Sequence, residues 1–224
     1  MKPLRLRAFG GLASVALAAL SLCAEPMAPG ARAATVGDFD FYVLALSWSP
    51  GFCNTGGADK AREQCATGAK LGFVVHGLWP QNDHGWPQNC GQGGFPTRAQ
   101  LDSIRGLFPE EGLARHEWQV HGTCSGRSPA DYFADVRQAR QLIKIPDAYV
   151  APASEQTVAT LDVARAFMAV NPGLRLDTLA VTCRSGTLEE VRICLSKDLR
   201  QFRTCTEVAQ NSCRTRSLEV PPVH

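Results

Sequence analysis

The sequence predicts an α+β fold: a single domain with a central, mainly antiparallel sheet flanked by helices and stapled by disulfides. Three observations carry that reading. β-type runs open the chain after residue 40 and return near its end, with amphipathic helical periods between them. The apolar fraction, 45% of 224 residues, is that of a globular chain and too high for a disordered one. Once an export-type leader is removed, eight cysteines remain, an even number that reads as up to four disulfides.

The leader comes first. Met1 to Arg7 is basic, Leu12 to Leu22 is apolar, and Ala31-Arg32-Ala33 fits the small-x-small rule of signal peptidase. The expected division is a signal peptide over 1–33 and a mature domain over 34–224, destined for a periplasm or the medium. The apolar run is shorter than the roughly 20 residues a spanning helix needs, which argues against a membrane anchor. Cys23 follows a bulky Leu22, a poor lipoprotein site. Residues 1–33 carry Lys2, Arg5, Arg7 and Arg32 against Glu25, so their loss takes the formal charge from +2 to −1. A near-neutral domain is no bulk-basic nucleic-acid coat, although a local phosphate site remains open to it.

Asp40 to Trp48 (D-F-Y-V-L-A-L-S-W) is β-rich and apolar and predicts a central strand. Residues 54–69 read as a Gly- and charge-rich loop, with Cys53 and Cys65 as candidates to staple it. Leu71 to Trp79 predicts a second strand, ended by Pro80, and the Gly-, Pro- and Asn-rich stretch 81–96 a long loop. Thr97 caps an expected helix to about Phe108. Gly112 to His121 forms another. Ser128-Pro129 opens a third, with Tyr132, Phe133, Val136 and Leu142 as its apolar stripe. Ser154 to Val170 is amphipathic and stopped by Asn171-Pro172-Gly173. Three β-type runs follow: Leu176–Arg184, Thr187–Leu195 and Leu199–Cys205. Cys53, Cys65, Cys90 and Cys124 stand apart from Cys183, Cys194, Cys205 and Cys213, so bridges are expected within each group; spacing leaves the pairing open.

Three of the five histidines fall in two short segments, Phe73-Val74-Val75-His76-Gly77-Leu78-Trp79-Pro80 and His116-Glu117-Trp118-Gln119-Val120-His121-Gly122-Thr123-Cys124. The second invites a zinc-protease reading, which fails on spacing. His116 and His121 are five apart, about 140° of helical rotation, and turn away from one shared metal. Glu117 and His121 are four apart, so a carboxylate and an imidazole share a face. Neither a metal nor another cofactor is expected. Two imidazoles and a carboxylate suit cleavage of an RNA phosphodiester by its own 2′-hydroxyl, which needs one base and one acid titrating near neutrality.

These two segments, in this order and each beside a cysteine, resemble the active-site segments of the ribonuclease T2 family. The run Leu44-Ala45-Leu46-Ser47-Trp48-Ser49-Pro50-Gly51-Phe52-Cys53 is similar to that family's first strand, and Leu188-Glu189-Glu190-Val191-Arg192-Ile193-Cys194 to its late cysteine-bearing strand. The resemblance implies His121 as general base and His76 as general acid in transesterification, exchanging roles in hydrolysis of the 2′,3′-cyclic phosphate. It implies His116 as a phosphate ligand, Glu117 as a stabiliser of the pentacoordinate intermediate, and Trp79 as a base platform, with Gln81 beside it in the pocket. It also implies the pairs Cys53–Cys65, Cys90–Cys124, Cys183–Cys213 and Cys194–Cys205. Val120 departs from the family, since many members carry Lys there; Arg115 and Arg127 are the nearby cations in sequence. Ser47 stands where several relatives carry Gln.

The expected protein is thus a monomeric, metal-independent endoribonuclease that cuts single-stranded RNA and leaves DNA intact. The competing reading is a catalytically impaired RNA-binding or interaction protein on the same scaffold. Trp48 and Trp118 read as core and His84 as exposed. Trp86 either stacks on RNA or packs under a disulfide. Glu110-Glu111 and Glu189-Glu190 read as solvated charges, and His224 as a terminal residue.

Overall fold

The computed structural model describes residues 36–91 and 93–223; the expected signal peptide, Cys23 and His224 lie outside them. A six-stranded sheet forms the centre. Its strands are β1 (Phe41–Trp48), β2 (Phe73–Gln81), β3 (Gln156–Val158), β4 (Leu179–Arg184), β5 (Thr187–Ser196) and β6 (Leu218–Val220). The order is β2-β1-β5-β6-β3, with β4 also paired to β5. Every pairing is antiparallel except β5 with β6. The helices are α1 (Ser49–Phe52), α2 (Arg98–Asp102), α3 (Glu111–Val120), α4 (Pro129–Gln141), α5 (Thr160–Val170) and α6 (Thr206–Gln210).

Alternation along the central strands separates two faces. Tyr42, Leu44, Leu46 and Trp48 of β1 join Val75 and Leu78 of β2 and Val191, Ile193 and Leu195 of β5 in the main core. Trp118 of α3, Tyr132 and Phe133 of α4 and Phe167 of α5 close over that face. The Tyr132 hydroxyl donates to the Leu78 carbonyl at 2.9 Å and pins α4 to β2. The opposite face of β1 carries Phe41, Val43, Ala45 and Ser47. There a small cluster of Phe41, Val43, Ala180, Cys194, Cys205 and Val208 packs beside Trp79.

Two irregularities shape this second face. Ala45 pairs with Gly77 and Leu46 with Val75, which leaves His76 unpaired. Thr182 pairs with Glu190 and Cys183 with Leu188, which leaves Glu189 unpaired. Such bulges re-aim side chains and recur beside active sites.

Bonds join Cys53 to Cys65, Cys90 to Cys124, Cys183 to Cys213 and Cys194 to Cys205, the four pairs the family resemblance implies. The Gly-rich stretch after β2 is fastened to the end of α3 by Cys90–Cys124, by Asn89 N–H donating to the Val120 carbonyl at 2.7 Å, and by Trp118 Nε1 donating to the Gly94 carbonyl at 2.8 Å.

Several elements differ from the sequence expectation. Pro80 does not end β2, which continues to Gln81. β2 is an edge strand, where a proline leaves no ladder donor missing. Thr97 and Gln100 form a capping box, but the helix stops at Asp102. The fourth expected helix begins only at Thr160, because Gln156–Val158 pairs with Leu218–Val220. Leu142 lies outside the α4 stripe, 43% exposed, and Ala139 takes its place in the core. Leu199–Cys205 is not a strand. Leu199 has a φ of 57°, and Ser196 Oγ accepts from the backbone of Arg200 and Gln201, curling the segment into a turn with one bridge, Leu195 to Phe202. The short α6 and β6 were not foreseen.

Candidate active site

The second face brings His76, Trp79, Glu117 and His121 together. Trp79 follows His76 by three residues on β2, and its indole sits between the two imidazoles: ring centroids lie 5.3 Å from His76 and 5.4 Å from His121. Its Nε1 donates to Glu117 Oε2 at 2.7 Å. The other Glu117 oxygen, Oε1, lies 3.6 Å from His76 Nε2. Gly77 makes this approach possible. A Cβ there would overlap both the Glu117 carboxyl and the Trp79 indole.

α3 supplies the rest. Trp118 is buried in the core while its neighbour Glu117, 1% exposed, turns to Trp79 and His76. The helix ends at Val120, and His121 is the capping residue, its N–H donating to the Glu117 carbonyl. His121 Nδ1 is buried without a hydrogen-bond partner among the described residues, which leaves Nε2 as the usable nitrogen.

The environment drives the two imidazoles apart. Burial, then the charges of His76 and His116, hold His121 down at about 4. Burial also opposes charge on His76, but its hydrogen bond to Glu190 and the charges of Glu190 and Glu117 outweigh it and raise its pKa. Burial pushes the Glu117 carboxyl up to about 7, against the pull of His76 and Trp79.

His76 and His116 line one cleft of about 630 Å³, whose walls include Ser47, Phe52, Val74 and Leu113. His116 is exposed on α3, one residue before Glu117. Gln81 is buried at the end of β2, opposite Phe41 and two residues beyond Trp79. Arg115 is paired with Glu111 at 2.8 Å and Arg127 with Asp135 at 2.9 Å, and neither lines this cleft. Trp48 and Trp118 are core residues. Trp86 is 59% exposed rather than packed under a disulfide. His84 is exposed and bonded to Glu207 at 2.8 Å.

Glu190 corrects the expectation of a solvated charge. It is 4% exposed, accepts from His76 Nδ1, and accepts from Arg192 Nε at 2.7 Å. The Arg192 guanidinium then lies over the Trp79 ring, 5.2 Å from its centroid. The signal was present in the alternation of Glu190, Arg192 and Cys194 with Val191, Ile193 and Leu195. What the sequence did not reveal is that the charged row faces a cleft rather than solvent. Among the described residues, no group of three His, Cys, Asp or Glu side chains is arranged to hold a metal, and no helix is long and apolar enough to cross a membrane.

An imidazole pair beside a buried carboxyl on a disulfide-bonded α+β sheet has the chemistry that an acid–base enzyme uses, and the comparisons supply the family. The Ribonuclease T2 family model matches residues 39–205. A ribonuclease of Aeromonas hydrophila is 38% identical over 78% of this chain and 80% of its own length. Ribonuclease I of Escherichia coli is 29% identical over 75% and 79%. Among solved structures, RNase NT in complex with 5′-AMP superposes with a TM-score of 0.63 at 23% identity, covering 83% of this chain and 99% of that one. The chain belongs to the ribonuclease T2 family.

Proposed function

We propose that His121 and His76 are the general base and general acid of this chain's RNA cleavage, with Glu117 and His116 at the reacting phosphate and Trp79 as a base platform. The chain is an endoribonuclease. The observation that carries the residue assignment is the pair of imidazoles held on either side of the Trp79–Glu117 bond. His121, neutral above about pH 4, accepts the 2′-hydroxyl proton through Nε2. The 2′-oxygen attacks phosphorus; His76 gives its proton to the departing 5′-oxygen, and a 2′,3′-cyclic phosphate forms. In the second step the roles reverse: His76 takes a proton from water, which opens the ring to a 3′-phosphate, and His121 returns a proton to the 2′-oxygen. A Glu117 carboxyl shared between charge states near pH 7 donates to or accepts from the equatorial oxygens. DNA lacks the attacking hydroxyl and stays intact.

Residues 1–33 act as the export signal, and 34–224 work as an oxidised monomer in a periplasm or outside the cell. The four disulfides support the oxidising compartment in that reading. The test incubates oxidised protein with RNA or single-stranded DNA in EDTA and reads new termini by mass spectrometry. Cyclic or 3′-phosphate ends on RNA, uncut DNA, and loss of turnover by about 10²-fold or more in His121→Ala are expected. RNA left intact from pH 4 to 8 would favour the binding-only alternative, with Val120 as its first suspect.

A further inference from the structure

We propose that Glu190 is a positioning residue for His76, holding the ring so that Nε2 carries the proton delivered to the leaving group, with Arg192 as the tether that keeps the carboxylate in place. The proposal rests on His76 being the acid. Its ground is geometric. His76 and Glu190 stand two strands apart, on β2 and β5, with β1 between them at a spacing of about 4.8 Å per strand. Ala45 and Ser47, the β1 residues on the intervening face, are small enough for the two side chains to meet above them. The His76 bulge turns the ring out of the ladder and toward β5. Glu190 then accepts from Nδ1, so the neutral ring is protonated at Nδ1 and free at Nε2, and the imidazolium presents Nε2–H to the cleft.

The second Glu190 oxygen is taken by Arg192 Nε at 2.7 Å, and Arg192 is itself held over the Trp79 indole. A carboxylate 4% exposed therefore has a partner on each oxygen, as a buried charge requires. The charged groups facing His76 are Glu190 and Arg192 from β5 and Glu117 from α3. His116, Lys60, Arg184 and Glu189 line the same cleft. Glu190 and Arg192 act on His76 with opposite sign, the first favouring its charged form and the second opposing it.

That opposition supplies the test. In oxidised enzyme assayed on an RNA dinucleotide, Glu190→Gln keeps an acceptor but loses the charge. Its alkaline limb of kcat/KM should move to lower pH by about one unit, with kcat falling more than KM. Arg192→Gln should move the same limb to higher pH. Glu190→Asp should restore part of the wild-type profile. The imidazole ¹H–¹⁵N spectrum of His76 should show Nδ1–H in the neutral ring of the wild type and lose that preference in Glu190→Ala. A residue that merely stabilises the sheet would change Tm and leave both limbs in place. Unmoved limbs in both variants, alongside an inactive His76→Ala, would overturn the proposal. An active His76→Ala would remove the assignment of His76 and the proposal with it. If Glu190→Gln fails to fold, the limb of Glu190→Asp and the Nδ1–H signal of His76 in that variant still decide.

Discussion

In the proposed assignment two imidazoles of the same intrinsic basicity become an acid and a base because one faces the Glu190 and Glu117 carboxyls and the other is buried and faces His76 and His116. His121 releases its proton at about pH 4, and His76 keeps its proton above the ordinary imidazole value. The cleavage step therefore needs His121 neutral and His76 charged. Its kcat/KM should rise as pH climbs through about 4 and fall once His76 deprotonates, giving a bell that a pH series on a dinucleotide would trace. Glu117 adds a stability term of definite sign. Its folded pKa of about 7 exceeds its unfolded value, so ionisation costs folding energy that appears as pH rises from the unfolded value and is complete above about 7. Glu117→Gln keeps an acceptor for Trp79 and removes that cost. We expect it to melt with the wild type near pH 4 and several degrees above it at pH 8, while turning RNA over more slowly.

The elements explain why these side chains meet, and they also mark how much was legible beforehand. β1 and α4 were readable because their signals are local: a continuous β-rich apolar run in D-F-Y-V-L-A-L-S-W, and a helical stripe with Ser128-Pro129 as its start. The two histidine segments were legible as motifs because residue types and spacing are local. The one-residue slips at His76 and Glu189 were not, because a bulge is set by the partner strand and leaves no local mark. β3 and β6 were hidden for the same reason: three-residue strands exist only through each other. Gly77 is the element-scale pivot. In β2 it lets the carboxyl of α3 reach the indole on the strand, so Gly77→Ala should part Glu117 from Trp79. We expect a loss of about 1 to 3 kcal/mol in stability from overpacking and a kcat reduced well beyond what the remaining folded fraction explains. Denaturation and kinetics on the same preparation would separate the two.

At the scale of the whole molecule, four disulfides divide between holding the domain together and holding the site together. Cys53–Cys65 closes 12 residues and Cys90–Cys124 closes 34. Chain entropy alone values these loops at about 3 and about 4 kcal/mol, too close to distinguish their roles. Position distinguishes them. Cys124 follows His121 by three residues, and Cys90 lies in the stretch that leaves β2 just after Trp79, so this bond joins the two histidine segments. Removing it with Cys90→Ala/Cys124→Ala frees the 82–96 stretch from the end of α3, apart from the Asn89 and Trp118 hydrogen bonds. His121 and Trp79, the proposed base and platform, should then lose their fixed separation. Both double-alanine variants should melt lower than the wild type. Only the Cys90/Cys124 variant should also lose kcat at a temperature where it remains folded. The Cys53/Cys65 variant should keep the wild-type kcat there, because that bond joins neither histidine segment and its loop meets the cleft only at the wall near Phe52 and Lys60. Equal loss of kcat in the two folded variants would show that the bonds serve the domain alike, and an unchanged kcat in both that the site is held by the sheet alone.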